Sequence, residues 1–150
     1  MIFNRTQADI SAAHNLINTK VKTFQELTHE EVAILEKGTM TINTLNRIEQ
    51  KQEELKGLFN SMGYWNTPVV IKTWDYKDIF NVSEFQRIIY NLDILRNAFF
   101  TYSTTPNTPP VSYRFEDINS LEKILNDLDV MINDVKSNYQ ECGDIECGEE

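Results

Sequence analysis

Residues that can cap the start of a helix recur along this chain, each followed by apolar residues three and four positions apart. This feature constrains the fold more than any other. Three pairs have the spacing of a capping box: Thr6 with Asp9, Thr28 with Glu31, and Asn81 with Glu84. The chain has 150 residues and only 5 glycines and 4 prolines, which is little material for the tight turns of sheet-rich folds. We therefore expect an all-α fold, a bundle of about five helices.

The clearest helical pattern follows Thr41, and Gly63 stands where its C-terminal cap belongs. Its seam has 3-4-3-4-3 spacing and consists of Leu45, Ile48, Gln52, Leu55, Phe59 and Met62. The opposite face is predicted to be solvated and consists of Glu49, Gln50, Lys51, Glu53, Glu54 and Lys56.

Four further helices are predicted from the same periodicity. The first carries a modest stripe of Ile10, Ala13, Ile17 and Phe24, and the second opens at Thr28 and closes at Gly38. The fourth has the seam Phe85, Ile88, Leu92, Leu95 and Phe99. The last begins near Asp117 and carries Ile118, Leu121, Leu125, Leu128, Ile132 and Val135. We expect one helical domain over residues 1–138 and a loose, acidic, cysteine-containing tail over 139–150.

Three of these helices resemble one another and suggest repeat-like units at 41–62, 81–100 and 117–137. Each unit has a polar cap and, one turn in, a basic residue followed by isoleucine. The basic residues are Arg47, Arg87 and Lys123, and we expect their charges to remain in solvent while their stems cover apolar surface. The alternative is that any three capped amphipathic helices look alike.

Large aromatic residues concentrate where the helical pattern breaks, between residues 64 and 80. They are Tyr64, Trp65, Trp74, Tyr76 and Phe80. Pro68 excludes a continuous helix here, so an extended arm or a short strand of a β-ribbon is expected. A second short strand is an option at Val111–Phe115. The rings are interface candidates, because aromatic side chains bury large areas with few rotors, or they cap the protein's own core.

Catalytic and metal-binding patterns are not found in the sequence, and we expect no catalytic residue, cofactor or metal. His14 and His29 have no partner motif, and Asp127, Asp129 and Asp134 lack the glycine and glutamate of a calcium loop. Helical spacing spreads the three aspartates around the polar face of the last helix, so we expect them to be solvated. Cys142 and Cys147 are interpreted as free thiols, with half a zinc site or a disulfide as alternatives.

The charge and hydropathy of the chain exclude further classes of partner. The net charge of −9 argues against nucleic-acid binding. No apolar run reaches the roughly 20 residues of a membrane span. The first ten residues lack the pattern of a secretory signal, so we expect a soluble protein made in the cytosol.

The segment Thr73–Leu95 resembles a motif of tail-associated proteins in phages and prophages of low-GC Gram-positive bacteria. The matching positions are Trp74, Asp75 or Asp78, Phe80, Asn81, Arg87, Ile88 and Asn91. The first unit matches through Leu45 to Glu49 but lacks the tryptophan lead-in, and the third keeps only a Leu-x-Lys-Ile form.

The resemblance implies a structural part of a phage tail or phage-tail-like particle, near the baseplate or tail fibres. We therefore expect a non-enzymatic subunit that is assembled in the bacterial cytoplasm and located in the particle. Its partners would be other tail, baseplate or fibre proteins, and it would be an oligomer within the assembly. The alternative is a cytosolic helical adaptor or regulator that binds one protein partner. A small hydrolase is the least favoured interpretation.

Overall fold

The computed structural model describes residues 1–63, 68–112 and 114–143, with side chains described as far as residue 138. These ranges contain five α-helices and a short 3₁₀ turn at Val21–Thr23. The helices are α1 (Gln7–Thr19), α2 (His29–Gly38), α3 (Ile42–Ser61), α4 (Val82–Ala98) and α5 (Phe115–Gly143). The predicted helical fold is confirmed, and neither optional strand is formed within the described ranges.

The helices begin where the capping residues predict, because each cap satisfies backbone N–H groups that the first helical turn leaves free. Thr6 and Thr28 form complete capping boxes with Asp9 and Glu31. Asn81 accepts from the Glu84 N–H at 3.1 Å as a simple N-cap. Helix α5 differs from the prediction at both ends: it begins at Phe115 rather than near Asp117, and it continues past Asn138 to Gly143.

Helices α3, α4 and α5 each pack against the other two and enclose the core. The predicted seams of these helices provide most of its fully buried side chains, which are Ile48, Leu55, Phe59, Phe85, Ile88, Leu92, Leu95, Leu121, Ile124, Leu125, Leu128 and Ile132. Because apolar burial is the main favourable term in folding, this three-helix bundle holds most of the stability of the described chain.

Helices α1 and α2 form a separate antiparallel hairpin. Gly38 makes this hairpin possible, because a Cβ atom there would lie 2.4 Å from both the Ala13 Cβ and the Asp9 carbonyl oxygen. Helix α2 therefore ends at the predicted glycine, but the glycine is required for close helix packing. The Lys37–Asp9 and Lys20–Glu31 ion pairs add contacts between the two helices.

The structure places several residues differently from the sequence predictions. Phe24, expected in the first helix stripe, lies beyond the end of α1 and is 96% exposed, with a left-handed φ of 54°. Glu49, expected on the solvated face of α3, is buried. Asp127, expected on a wet polar face, is also buried, where it accepts hydrogen bonds from Thr105 and Lys123.

The basic residues of the three units do not hold their charges free in solvent as predicted. Arg47 pairs with buried Glu122, Arg87 with buried Glu49, and Lys123 with buried Asp127. The first pair joins α3 to α5, the second joins α4 to α3, and the third lies within α5. The acid therefore stands at a different position relative to the basic residue in each case. In all three units the basic residue pairs with a buried carboxylate, but the arrangement of the pair differs from unit to unit.

Candidate functional site

Glu49 is the centre of a polar cluster between α3 and α4. Its side chain is buried, with 1% of its surface exposed. Its carboxylate accepts two hydrogen bonds from the Arg87 guanidinium, at 2.6 and 2.7 Å. It also accepts the Trp74 indole N–H at 2.6 Å and the Lys72 backbone N–H at 2.7 Å. A buried carboxylate is stable only when it is paired and hydrogen-bonded, and here four donors meet both requirements.

Two asparagines hold the non-helical segment that follows Pro68, which we call the arm (residues 68–74). Asn46 donates to the Trp74 carbonyl and accepts the Trp74 N–H, at 3.0 and 2.7 Å. Asn91 makes the same pair of bonds to Val70, at 2.8 and 3.2 Å. A primary amide offers a donor and an acceptor side by side, as a neighbouring strand would. The arm is therefore bound to α3 and α4 by side chains.

The loop after the arm (residues 75–80) is fixed at both ends. Before it, Trp74 is buried and the Lys72 ammonium lies 4.2 Å from the centre of its ring system. At its far end, Phe80 packs edge-on against Trp74 and Phe85, with ring centroids 5.4 and 5.6 Å apart. These contacts anchor the loop to the core of the bundle.

Asp78 organises the loop internally. It accepts the Asp75 N–H at 2.8 Å and pairs with Lys72 at 3.0 Å. The pKa of Asp78 is lowered, first by the backbone hydrogen bond from Asp75 and then by the Lys72 ammonium. The loop is therefore held in one conformation by local bonds as well as by its anchors.

The fixed loop leaves two large apolar side chains in solvent, which we call the loop face: Tyr76, 75% exposed, and Ile79, 79% exposed. The Lys77 ammonium lies 5.2 Å from the Tyr76 ring centroid. A single exposed apolar residue is ordinary, but an aromatic and a branched aliphatic residue on one braced loop have the composition of an interface anchor.

The predicted interface candidates fall into three groups. Trp74 and Phe80 lie in or against the protein's own core, and Tyr76 is exposed. Tyr64 and Trp65 lie outside the described residues. Sequence reasoning missed the binding of the arm through Asn46, Glu49 and Asn91, and the exposure of Ile79. A signal existed for Glu49, because it lies four residues after Leu45 and three before Gln52, inside the buried arc of α3.

The motif that carries the phage-tail resemblance forms one connected set of contacts. Trp74, Phe80, Arg87 and Asn91 contribute to the anchoring of the arm and loop, Asn81 caps α4, and Ile88 is in the core. Most of the described motif residues therefore lie where the arm and the loop meet the N-terminal half of α4.

The described residues contain no group of three or more His, Cys, Asp or Glu side chains that could hold a metal ion. His14 and His29 are both exposed. The Cys142 side chain and all of Cys147 lie outside what the structure describes. None of the described helices is long and apolar enough to cross a membrane. The chain matches no protein-family model, no curated protein and no solved structure.

Proposed function

We propose that this protein is a non-enzymatic structural subunit that docks onto other proteins of a phage tail or phage-tail-like particle. The observation that carries the docking role is the loop face, where Tyr76 and Ile79 are exposed on a loop anchored by Trp74 and Phe80. The class of particle comes from the resemblance of Thr73–Leu95 to tail-associated proteins. We expect the partner to be a neighbouring tail, baseplate or fibre subunit.

The physical basis of the proposal is that the loop is ordered before it binds. Association costs free energy to immobilise side chains and loops, and a loop already held by hydrogen bonds and ring contacts avoids part of that cost. The Lys72–Asp78 pair and the Glu49 cluster therefore stabilise the bound geometry in the free protein. In an assembly with many copies, modest contacts of this kind act together.

Sedimentation of the tagged chain from the cells it comes from tests the proposal. We expect the wild-type chain to move with large particles in a density gradient, well ahead of a 17.5 kDa monomer. The variant Tyr76→Ser/Ile79→Ser should leave that fraction and sediment slowly, with unchanged circular dichroism. Tyr90→Ser is the matched control, because Tyr90 is 64% exposed on α4 and lies outside the loop face.

Two outcomes contradict the particle assignment. A wild-type chain found only in a small complex with one protein would favour the adaptor function instead. A wild-type chain that sediments as a monomer would contradict both docking functions. If the double variant Tyr76→Ser/Ile79→Ser and the control Tyr90→Ser both remain in the particle fraction, docking occurs but does not use the loop face.

A further inference from the structure

The arm has two hydrogen-bonding edges, and α3 and α4 bind one of them. The N–H groups of Val70, Lys72 and Trp74 donate to side chains of these helices, at 3.2, 2.7 and 2.7 Å. The carbonyls of Val70 and Trp74 accept from the same helices. Bonding at every second residue is the pattern of an extended chain, in which alternate residues present their backbone groups to the same edge. We call this edge, formed by Val70, Lys72 and Trp74, the inner edge.

The opposite edge of the arm, which we call the outer edge, consists of Ile71 and Thr73. The backbone N–H and C=O groups of both residues have no hydrogen-bond partner among the described residues. Thr73 is exposed and Ile71 is half-buried. Before them in the chain, the Val69 carbonyl accepts from the Lys56 ammonium at 3.3 Å. The outer edge therefore presents two donors and two acceptors in a row, opposite the edge that the bundle binds.

The outer edge is ordered before any partner binds. The inner-edge bonds and the buried ring of Trp74 hold the arm at every second residue from Val70 to Trp74. Ordering a loop is one of the costs of association, and a segment that is already extended avoids it. An unpaired strand edge is a template for another chain, and proteins usually protect such an edge with proline or charge. Neither Ile71 nor Thr73 provides that protection.

We propose that the outer edge pairs with an extended segment of a neighbouring subunit, which adds to the arm as a strand. This inference rests on the docking function proposed above and names the part of the partner that is bound. Ile71 and Thr73 would each give one N–H and accept at one C=O, which makes four main-chain hydrogen bonds. Donors and acceptors that alternate along an extended edge are complementary to a polypeptide backbone, and strand addition is an established mode of peptide recognition.

The loop face continues the surface that the added strand would use. Tyr76 comes three residues after Thr73, so the two Cα atoms are no more than about 11 Å apart. Four neutral hydrogen bonds give only modest affinity, because each replaces a bond to water. The apolar area of Tyr76 and Ile79 supplies the remaining attraction. The expected partner segment is therefore extended at the outer edge and apolar where it meets the loop face.

A second copy of this chain is a poorer partner than a different subunit. Antiparallel pairing of two outer edges would place Ile71 of one copy opposite Thr73 of the other. The two Lys72 side chains, each paired with Asp78 and Glu84, would then stand opposite one another. Like charges directly opposite across a strand pair are destabilising. Since Lys72 already has two carboxylates, we expect the partner residue opposite it to be uncharged.

Thr73→Pro tests the pairing at a single residue. Proline removes the Thr73 N–H from the outer edge and suits an extended backbone, whereas the inner-edge N–H groups are retained. We expect the tagged Thr73→Pro chain to be recovered in the partner complex at least about fivefold less than the wild type, the effect of losing one hydrogen bond. Thr73→Val is the matched control, because it keeps the N–H and is also β-branched, and its recovery should equal that of the wild type. Circular dichroism melts establish that both variants fold.

Hydrogen exchange of the wild-type chain gives a second readout that depends on no variant. The chain is compared in its free form and in the complex recovered through its tag, with exchange read for single amides after quenching. The amides of Ile71 and Thr73 should exchange at least about tenfold more slowly in the complex. The amides of Val70, Lys72 and Trp74 should change less, because they are already hydrogen-bonded in the free chain.

The outcomes separate this inference from the docking function. If Thr73→Pro is recovered in the complex as fully as Thr73→Val, strand pairing is overturned and docking stands. Unchanged exchange at Ile71 and Thr73 in the complex has the same consequence. A complex that contains only copies of this chain, with both amides protected, overturns the assignment to a different subunit. A wild-type chain that is recovered only as a monomer overturns both the pairing and the docking function.

Discussion

Removal of the Arg87 guanidinium is the most informative single perturbation of the candidate functional site. In Arg87→Met, the stem still packs but Glu49 loses two of its four hydrogen bonds and its charged partner. Glu49 remains buried with only the Trp74 and Lys72 N–H groups as donors. The arm also loses the Arg87 bond to the Val70 carbonyl at 2.6 Å.

The expected loss of unfolding free energy is about 3–5 kcal/mol, the cost of breaking a buried pair from one side. Two charge-assisted hydrogen bonds at about 1.5–3 kcal/mol each give about 3–6 kcal/mol, which overlaps this range. A domain of this size has about 5–15 kcal/mol in total, so the change is large. The melting temperature should fall by roughly 6–20 °C, at about 2–4 °C for each kcal/mol.

Urea unfolding followed by far-UV circular dichroism measures this loss, and Arg96→Met is the control. Arg96 also lies on α4 and is partly buried, but among the described residues its guanidinium donates to the Pro106 carbonyl and the Asn107 amide oxygen and to no carboxylate. Its loss should cost about 1–2 kcal/mol, less than the loss of Arg87, because its removal leaves a carbonyl and an amide oxygen without a donor rather than a buried carboxylate without its charged partner. If Arg87→Met is no more destabilising than Arg96→Met, the Glu49 cluster does not hold the arm as argued.

A double-mutant cycle separates the pair from its surroundings. Glu49→Met and Arg87→Met should be coupled by at least about 1.5 kcal/mol, since the two side chains share a direct ion pair at 2.6 Å. Coupling within about 0.5 kcal/mol of zero would mean that each residue acts independently and would contradict the structure of the cluster.

Three further predictions concern the bundle and the hairpin. Leu95→Ala should cost about 2–5 kcal/mol in urea unfolding, because Leu95 is fully buried between packed helices, and a loss below about 1 kcal/mol would contradict this packing. Phe24→Gly should raise the melting temperature slightly. The left-handed conformation costs a non-glycine residue about 1–2 kcal/mol, and glycine avoids this cost. Glycine loses about 0.5–1 kcal/mol more than other residues through backbone entropy on folding, and little packing is lost with the exposed ring. A fall in melting temperature would show that the ring contributes to the fold. Acidification should weaken the hairpin, because the pKa of Asp9 is lowered, first by the hydrogen bond from the Thr6 hydroxyl, and the pKa of Glu31 is lowered, first by the hydrogen bond from the Lys20 ammonium. Their stabilisation is present above the unfolded pKa of about 4 and is lost as pH falls through the lower folded values. Hydrogen exchange of the hairpin amides from pH 6 to pH 3, corrected for intrinsic exchange rates, measures this loss of hairpin stability. The double variant Asp9→Asn/Glu31→Gln should remove the pH dependence.

Most of the fold was predictable because its signals are local. The caps at Thr6, Thr28 and Asn81 act on N–H groups within three residues, and the seam of α3 is a matter of helical spacing. The candidate site was predictable only in part. Trp74 and Tyr76 were identified by their chemistry, but their different roles, one buried and one exposed, depend on how the arm crosses α3 and α4.

The sequence by itself determined that the chain is helical, where helices α1 to α4 begin, and which faces of α3, α4 and α5 form the core. Only the tertiary structure decided which charges are buried, because Glu49 needs Arg87 from 38 residues away and Arg5 needs Glu122 from 117 residues away. A carboxylate in a polar helix stretch is solvated unless a partner from elsewhere in the chain compensates its desolvation. That compensation is a property of the packed structure: it holds the arm on α3 and α4 and the Arg5 side chain on α5.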